Sequence, residues 1–212
     1  MDRFKNADGK PVLLKMVKGI QDNKAYLGEV AGLIGDGDHG MNMNKGFTVF
    51  ETRFKEKDIS FSEGLDELGM ILLNEIGGSM GPIYGTIFMD MAEAGEEAEE
   101  IGPAEFADML EAGLSGLCGI VEAKVGDKTL VATLAPAAEA VRDGAEAGTG
   151  FAEILDKMKD AARAGRDSTK DMVARFGRSS RLGERSRGVL DAGATSCCII
   201  LEAMADGIKE LL

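Results

Sequence analysis

Apolar residues recur along most of this chain at intervals of three and four positions, the spacing that places them on one face of an α-helix. Pro82 and Pro103 stand where the first turn of a helix tolerates proline, and Ser60 and Asp127 are candidate N-caps. The pattern predicts eight helices, at residues 11–27, 41–56, 61–76, 82–98, 103–122, 129–146, 151–173 and 193–211.

These helices predict an all-α fold, an antiparallel up-and-down bundle or barrel, with residues 1–212 forming a single domain. No long low-complexity linker and no internal repeat divides the chain. In an up-and-down bundle, alternate connections lie at the same end. Connections at the same end of the bundle can therefore form one site, and their residues are compared as two groups.

Four of the connections are rich in glycine and in polar or charged residues, and they alternate with plain polar turns at residues 57–60, 99–102 and 147–150. Since alternate connections share one end of a bundle, this alternation predicts one composite site at a single end. The glycine-rich connections are loop 1 (residues 35–40), loop 2 (77–81), loop 3 (126–129) and loop 4 (177–193).

Loop 1 carries two carboxylates, Asp36 and Asp38, and the only histidine of the chain, His39. Glycine on either side permits backbone angles that let both carboxylates face one point, an arrangement that suits a hard cation. The helix that follows presents unpaired N–H groups, which attract anions. A cation site beside an anion site is what a magnesium nucleotide requires, and a simple surface turn is the alternative.

Three better-known motifs are excluded for loop 1. An EF-hand starting at Asp36 requires glutamate at its twelfth position, where this chain has Phe47. No G-x-x-x-x-G-K-[ST] sequence is present, which excludes a Walker A loop. No valine- or isoleucine-rich strand precedes the glycines, which argues against a dinucleotide-binding fingerprint.

The other loops also fit an anionic ligand, each with a structural alternative. Loop 2 opens a helix and is either an anion site or a tight turn. Loop 3 offers Lys128 and the Thr129 hydroxyl, unless Asp127 merely caps a helix. Loop 4 is long enough for a lid, and its arginines suit phosphate unless they pair with nearby glutamates. Those arginines are Arg178, Arg181, Arg185 and Arg187.

Composition narrows the function classes. The formal net charge is −13, which argues against nucleic acid or an anionic membrane as a partner. The N-terminus lacks the apolar stretch of a signal peptide, and no apolar run approaches the ~20 residues of a membrane span. The three cysteines have neither the spacing of a zinc site nor that of a disulfide framework. We expect a cytoplasmic protein.

Taken in order, the loops resemble those of the nucleotide-binding L subunit of dihydroxyacetone kinase, over nearly the whole chain. The resemblance implies an eight-helix antiparallel barrel that holds Mg²⁺ with ADP or ATP at one end. The similar motifs are residues 35–40 with Asn42, Gly77-Gly78 with Gly81-Pro82 and Gly85-Thr86, residues 126–129, Gly177-Arg178, residues 182–186, and Asp191 with residues 193–196.

Carried over by position, the resemblance implies that Asp36 and Asp38 ligate magnesium and that Arg178 neutralises charge during phosphoryl transfer. Further residues are predicted to bind the nucleotide, most of them from the resemblance and some from the chemistry of loops 2 and 3. They are His39, Gly40, Met41, Asn42, Gly78, Ser79, Met80, Thr129, Leu130, Arg178, Asp191, Ala192 and Gly193.

The resemblance also implies partners. Dihydroxyacetone would be held by a separate K subunit. A free-standing L chain resembles the phosphotransferase-system type, in which bound ADP is phosphorylated in place by a phosphohistidine protein. The oligomeric state stays open, with a homodimer as one alternative.

The chain departs from the family pattern at the site itself. Ala31 stands where the family has a third metal-binding aspartate, and Glu29 could replace it only outside a regular helix. Met80 takes the place of a phosphate-contacting serine, with Ser79 one position early. An aromatic residue is replaced by Arg181, and a glycine by Val121.

The Ala31 and Met80 changes favour a second hypothesis, a non-catalytic subunit that senses nucleotide or regulates a partner. A third hypothesis is a kinase for another acceptor, such as the lipid-kinase relatives. Those relatives tend to carry threonine at the position of His39, which argues against this third option.

Overall fold

The computed structural model describes residues 2–212 and confirms the all-α fold. Two short strands, β1 (Phe4–Lys5) and β2 (Glu100–Ile101), and 3₁₀ turns at Asn6–Asp8, Thr169–Asp171 and Arg178–Ser186 complete the described part. The α-helices found there are α1 (Lys10–Asp22), α2 (Lys24–Ile34), α3 (His39–Phe54), α4 (Phe61–Glu75), α5 (Met80–Gly95), α6 (Pro103–Ile120), α7 (Val131–Glu146), α8 (Phe151–Ser168) and α9 (Ala192–Leu211).

The helices form a closed ring. From α3 to α9 each helix packs against the next, and α9 packs against α1. Both α1 and α2 pack against α3, so the two helices together occupy one position in the ring. The ring therefore has eight positions, as the up-and-down barrel requires.

The helix predicted at residues 11–27 is in fact two helices, α1 and α2, and the second continues to Ile34. The break lies at Asn23, whose side-chain Nδ2 donates to the carbonyl oxygen of Gly19 at 2.8 Å. Asparagine competes in this way with the backbone hydrogen bonds of a helix. Because α2 reaches Ile34, loop 1 begins directly at its C-terminus.

The core lies inside the ring and takes side chains from every α-helix. In α8, Phe151, Ile154, Leu155 and Met158 are all buried, which follows the predicted spacing of three and four. Between α4 and α5 the backbones approach closely, since a Cβ atom added at Gly69 would lie 2.9 Å from the Gly85 carbonyl oxygen. Only glycine allows that approach.

The plain turns lie at the end of the ring away from loops 1, 2 and 4. Phe4 pairs with Ile101 and Lys5 with Glu100 in the antiparallel pair β1–β2. The predicted cap at Ser60 is confirmed, because its hydroxyl accepts from the Glu63 N–H while the Glu63 side chain accepts from the Ser60 N–H.

No helix within residues 2–212 combines the length and the apolar character needed to cross a membrane.

Two predicted boundaries are wrong near loops 3 and 4. Helix α7 begins at Val131, so Asp127 is not its N-cap. The Asp127 carboxylate instead accepts from the Lys124 N–H at 2.9 Å and forms a turn inside the loop. Helix α8 ends at Ser168 rather than at residue 173, and a 3₁₀ turn follows it.

Candidate functional site

Loops 1, 2 and 4 line one cavity of about 220 Å³ at one end of the ring. Loop 3 adjoins loop 4 but contributes no residue to the cavity wall. Most of the sequence-predicted site residues meet at this cavity: Asp36, Asp38, His39, Asn42, Gly78, Ser79, Met80, Arg178, Asp191, Ala192 and Gly193.

Four predicted residues do not line the cavity. Gly40 packs against α2, where an added Cβ would lie 2.8 Å from the backbone nitrogen of Gly28. Met41 is 66% exposed outside the cavity. Thr129 accepts from the Val131 N–H at 3.3 Å, and Leu130 is buried behind Gly193.

Three helices begin at the cavity: α3 at His39, α5 at Met80 and α9 at Ala192. Neither Asp38 nor Ser79 caps its helix with its side chain, so the first-turn N–H groups of α3 and α5 remain available to a ligand. Helix N-termini carry partial positive charge. Converging on one cavity, they favour an anion there.

The loop 1 side of the cavity carries negative charge and favours a cation. Helix α2 ends there, with Ala31 and Ile34 in the wall, and a helix C-terminus carries partial negative charge. Asp36 and Asp38 follow at once, separated by Gly37, whose φ of 78° favours glycine. The Asp38 N–H donates to Asp36 Oδ1 at 3.1 Å, which fixes the two acids in one turn.

Arg178 of loop 4 reaches across the cavity to loop 1. Its Nη1 lies 2.7 Å from Asp36 Oδ2. The Arg178 side chain is 73% exposed and the Asp36 side chain 36% exposed, so the ion pair lies at the mouth of the cavity. This contact brings together the two side chains that the sequence predicts for cation binding and for phosphate binding.

Behind the cavity wall, His39 joins a buried polar cluster. Its Nε2 lies 2.8 Å from Ser196 Oγ, which in turn lies 2.6 Å from the Tyr84 hydroxyl. Burial lowers the pKa of His39 to about 4, although the nearby Asp36 carboxylate opposes this shift. The imidazole is therefore neutral near pH 7.

Asp191 closes the α9 side of the cavity. It is the N-cap of α9, and its Oδ2 accepts from the Ala194 N–H at 2.8 Å. Burial raises the pKa of Asp191 to about 6, against the opposing effects of that N–H group and of Lys128. The Asp191 side chain therefore occupies one first-turn N–H group of α9 beside the cavity.

Lys128 secures the base of loop 4 and does not face the cavity. It is only 2% exposed, and its Nζ donates to the carbonyl oxygens of Thr169 and Val189, the first at 2.7 Å. Burial lowers the pKa of its ammonium group. The sequence suggests Lys128 as a ligand contact, whereas in the structure it joins loop 3 to the 3₁₀ turn after α8 and to loop 4.

The middle of loop 4 is also fixed. The buried Ser186 hydroxyl accepts from the Ala174 N–H at 2.9 Å and donates to the Gly183 carbonyl oxygen at 2.6 Å. Arg187 pairs with Glu184, as the structural alternative for this loop predicted. Arg181 and Arg185 form no ion pair within residues 2–212, which leaves them exposed beside Arg178.

Only two carboxylates are positioned for a metal. Ala31 lies in the regular helix α2, and Glu29 of that helix is exposed outside the cavity. Within residues 2–212, no three side chains of His, Cys, Asp or Glu form a group that could hold a metal ion. Two carboxylates nevertheless fit Mg²⁺, which proteins often bind through one or two carboxylates with waters and ligand phosphates.

A family comparison agrees with this geometry. Residues 33–206 match the model of the DAK2 domain.

The chain belongs to the DAK2 domain family.

Individual relatives cover most of this DAK2 chain. The ADP-binding subunit DhaL of the PEP-dependent dihydroxyacetone kinase of Escherichia coli (strain K12) is 37% identical over 180 residues, which are 84% of this chain and 85% of the relative. The ADP-binding subunit DhaL of the PTS-dependent dihydroxyacetone kinase of Lactococcus lactis subsp. lactis (strain IL1403) is 34% identical over 193 residues, which are 91% and 92% of the two chains.

Among solved structures, the dihydroxyacetone kinase of C. freundii in complex with AMP-PNP and Mg²⁺ matches with a TM-score of 0.73. The match covers 97% of this chain at 19% identity, so the likeness is one of fold. The DAK2 chain spans about a third of that kinase, 35% of its length.

The Arg178–Asp36 contact predicts two opposite effects of one substitution. In Arg178→Gln, Mg²⁺ should bind the nucleotide-free protein about threefold more tightly, because a competing cation leaves Asp36. Binding of ADP with Mg²⁺ should become about tenfold weaker, because a charged hydrogen-bond donor is lost. Isothermal titration calorimetry measures both affinities.

Arg181→Gln is the matched control, since it removes an equal charge from the same loop without an ion pair. It should leave the affinity for Mg²⁺ alone nearly unchanged. A fall of both affinities in Arg178→Gln would contradict competition between Arg178 and the metal.

Proposed function

We propose that this DAK2 chain is the nucleotide-binding, phosphoryl-transfer subunit of a kinase for dihydroxyacetone or a similar small ketose. It holds ADP or ATP with Mg²⁺ and passes the phosphoryl group to an acceptor bound on a partner chain. The observation that carries this proposal is the cavity in which two carboxylates face three helix N-termini. The names of the E. coli and L. lactis relatives, both ADP-binding subunits of dihydroxyacetone kinases, support it.

The residues of the cavity divide the work. Asp36 and Asp38 would hold Mg²⁺, and the bound cation would neutralise negative charge on the phosphates. The first-turn N–H groups of α3 and α5, which no side chain caps, would face the phosphates, with Ser79 at the start of α5. Arg178, which reaches Asp36 from loop 4, would stabilise charge on the transferred group.

Phosphoryl transfer of this kind depends on positioning and electrostatics more than on covalent chemistry by the protein. The structure fits that requirement, since loop 4 is fastened at Lys128 and Ser186 while Arg178 stays exposed at the cavity mouth. The neutral His39 adds no charge to the cavity. Its partners are buried hydroxyl groups rather than a carboxylate that would make it a general base.

The acceptor and the phosphoryl donor would come from partners. We propose a dihydroxyacetone-binding K subunit and a phosphohistidine protein, in keeping with the dependence on PEP or PTS named for the relatives. Large apolar side chains are exposed near the cavity: Leu33 is 64% exposed, Met41 66% and Phe176 41%. Exposed apolar groups of this size beside a site favour a protein partner that covers it.

A specific observation favours the second hypothesis, a nucleotide-binding subunit that regulates a partner without transferring phosphate. Ala31 leaves the loop 1 side with two carboxylates instead of three, and Glu29 does not replace the missing one. A weaker metal site would hold the nucleotide without organising its phosphates for transfer.

Mass spectrometry of the purified native protein tests the proposal. We expect retained ADP with Mg²⁺, because two cavity carboxylates and three helix N-termini complement that ligand. We also expect no phosphorylation of dihydroxyacetone by the chain alone, and phosphorylation once a matching K subunit and a donor are added.

Each outcome has a distinct meaning. Absence of nucleotide and failure to bind ADP with Mg²⁺ in titration would contradict a nucleotide site. Binding without transfer, even with both partners present, would favour the regulatory hypothesis. Phosphorylation by the chain alone, above a no-enzyme control, would contradict the need for a partner.

A further inference from the structure

One buried polar cluster connects the three helices that begin at the cavity, and the roles described above do not use it. Tyr84 of α5 and Ser196 of α9 are 1% and 0% exposed, and His39 of α3 is 9% exposed. The hydroxyl of Ser196 lies at the centre. Polar groups buried this deeply destabilise a fold unless they are hydrogen-bonded to one another.

The hydrogens of the cluster can be counted. The Tyr84 hydroxyl has one hydrogen, and of its two neighbours Ser196 Oγ is closer, at 2.6 Å against 3.4 Å for the Gly193 carbonyl oxygen. Ser196 therefore accepts from Tyr84 and keeps its own hydrogen to donate. Burial raises the pKa of Tyr84 well above its ordinary value, so this phenol stays a donor.

Ser196 Oγ has two candidate acceptors for this hydrogen, the Gly193 carbonyl oxygen at 3.1 Å and, when that nitrogen carries no hydrogen, His39 Nε2 at the shorter distance of 2.8 Å. The carbonyl has an alternative, because a carbonyl within a helix already accepts from the N–H four residues later. His39 Nε2 has no other partner within residues 2–212. A chain of donors from Tyr84 through Ser196 to His39 Nε2 also gains from mutual polarisation.

The other ring nitrogen of His39 is open to the cavity. Nδ1 makes no hydrogen bond within residues 2–212, and it is not among the buried polar atoms that lack a partner. His39 itself lines the cavity. An imidazole nitrogen that accepts a hydrogen bond carries no hydrogen, so a ring whose Nε2 accepts from Ser196 has its hydrogen on Nδ1, which then donates.

We propose that Tyr84 and Ser196 are positioning residues that hold His39 as the neutral Nδ1–H tautomer, so that its ring donates to an anionic oxygen in the cavity. The cavity already favours an anion through three helix N-termini. A donor without net charge adds to this preference without repelling the cation that Asp36 and Asp38 suit. The part that concerns a phosphate ligand rests on the proposed function, whereas the tautomer itself does not.

The chain offers a direct measurement, since His39 is its only histidine. Two-bond ¹H–¹⁵N correlation spectra of the ¹⁵N-labelled protein show one imidazole, whose pattern distinguishes the Nδ1–H, Nε2–H and protonated forms. We expect the Nδ1–H pattern in the parent protein. In Ser196→Ala the donor to Nε2 is gone, and the Nε2–H pattern should appear.

The second arm measures binding of ADP with Mg²⁺ by calorimetry. Ser196→Ala should bind about tenfold more weakly, the loss expected for one hydrogen bond to a charged group. The matched control is Thr133→Val, which removes another buried hydroxyl that donates to the first turn of α9, at the Ala194 carbonyl oxygen, without touching His39. It should leave the imidazole pattern unchanged, and it should weaken binding of ADP with Mg²⁺ by much less than tenfold.

Tyr84→Phe provides a second variant that keeps the size of the side chain. Without the phenol, the Ser196 hydrogen is shared between Gly193 and His39, so the spectrum should show a mixture of tautomers. An Nε2–H pattern in the parent protein, or an unchanged pattern in Ser196→Ala, would overturn the proposal. If the parent shows Nδ1–H but binds no nucleotide, the positioning stands and the proposed function fails.

Discussion

Replacing Asp36 or Asp38 by asparagine is expected to weaken magnesium-dependent binding of ADP by about a hundredfold while leaving the helical fold intact. Either change removes one of the two loop 1 carboxylates, and the third acid of the cavity, Asp191, is occupied as the cap of α9. Once nucleotide and Mg²⁺ cover these acids, loss of one partner of the charge pair would cost about 3 kcal/mol, which corresponds to that factor. Both acids are exposed loop residues, so the core does not depend on them.

Calorimetry with ADP at several magnesium concentrations measures this effect, and circular dichroism reports the helical content. Asp58→Asn is the matched control, because Asp58 is an exposed loop acid at the opposite end of the ring. Unchanged affinity in both site variants would exclude them as metal ligands. Unfolding of either variant would show that the acid is structural.

Substitution of Gly40 by alanine is expected to lower the free energy of unfolding by about 2 to 3 kcal/mol even without nucleotide. An added Cβ would overlap the Lys24 carbonyl oxygen and lie 2.8 Å from the backbone nitrogen of Gly28. Helices α2 and α3 would have to separate. Urea unfolding of the nucleotide-free protein gives the free energy directly.

Gly119→Ala is the control, since an added Cβ there meets nothing within 4 Å. It lies in α6 and should be neutral or slightly stabilising, because alanine favours helix over glycine. The resemblance assigns Gly40 to the nucleotide. A Gly40→Ala variant that keeps its stability and loses only nucleotide affinity would restore that role.

The sequence predicts the helices well where the pattern is local. Phe151, Ile154, Leu155 and Met158 have the spacing of one helix face whatever surrounds them, and they are buried in α8. Ser60 and Glu63 form a capping box that is visible as a spacing of three. The gathering of loops 1, 2 and 4 follows from their alternation, since an up-and-down ring leaves them no other end.

Features that depend on distant partners are not visible in the sequence. Ile20 and Leu27 are both buried and lie seven positions apart, the spacing of one helix face, so the apolar pattern runs across Asn23 without marking a break. The break follows from the bond between the Asn23 side chain and the Gly19 carbonyl oxygen. The sequence suggests Lys128 as a ligand contact, because the carbonyl groups to which it donates lie far along the chain, at Thr169 and Val189.

The cluster behind the cavity was missed for the same reason. Tyr84 and Ser196 sit in apolar helical segments, and 112 positions separate them. The signal that the sequence offers for such a cluster is a polar residue among apolar neighbours that are expected to be buried. It shows that a partner is required, but only the contact between Tyr84 of α5 and the start of α9 identifies which one.

The closure of the ring by α9 has a consequence for how the protein is made. α1 packs against α9, as in the ion pair between Lys15 and Glu210, which lie 195 positions apart. On the ribosome, α1 emerges long before the helix that will cover it, and its apolar face waits for α9 to be translated. Because Asp191, Ala192 and Gly193 come with α9, nucleotide cannot stabilise earlier stages of synthesis and acts only on the completed ring.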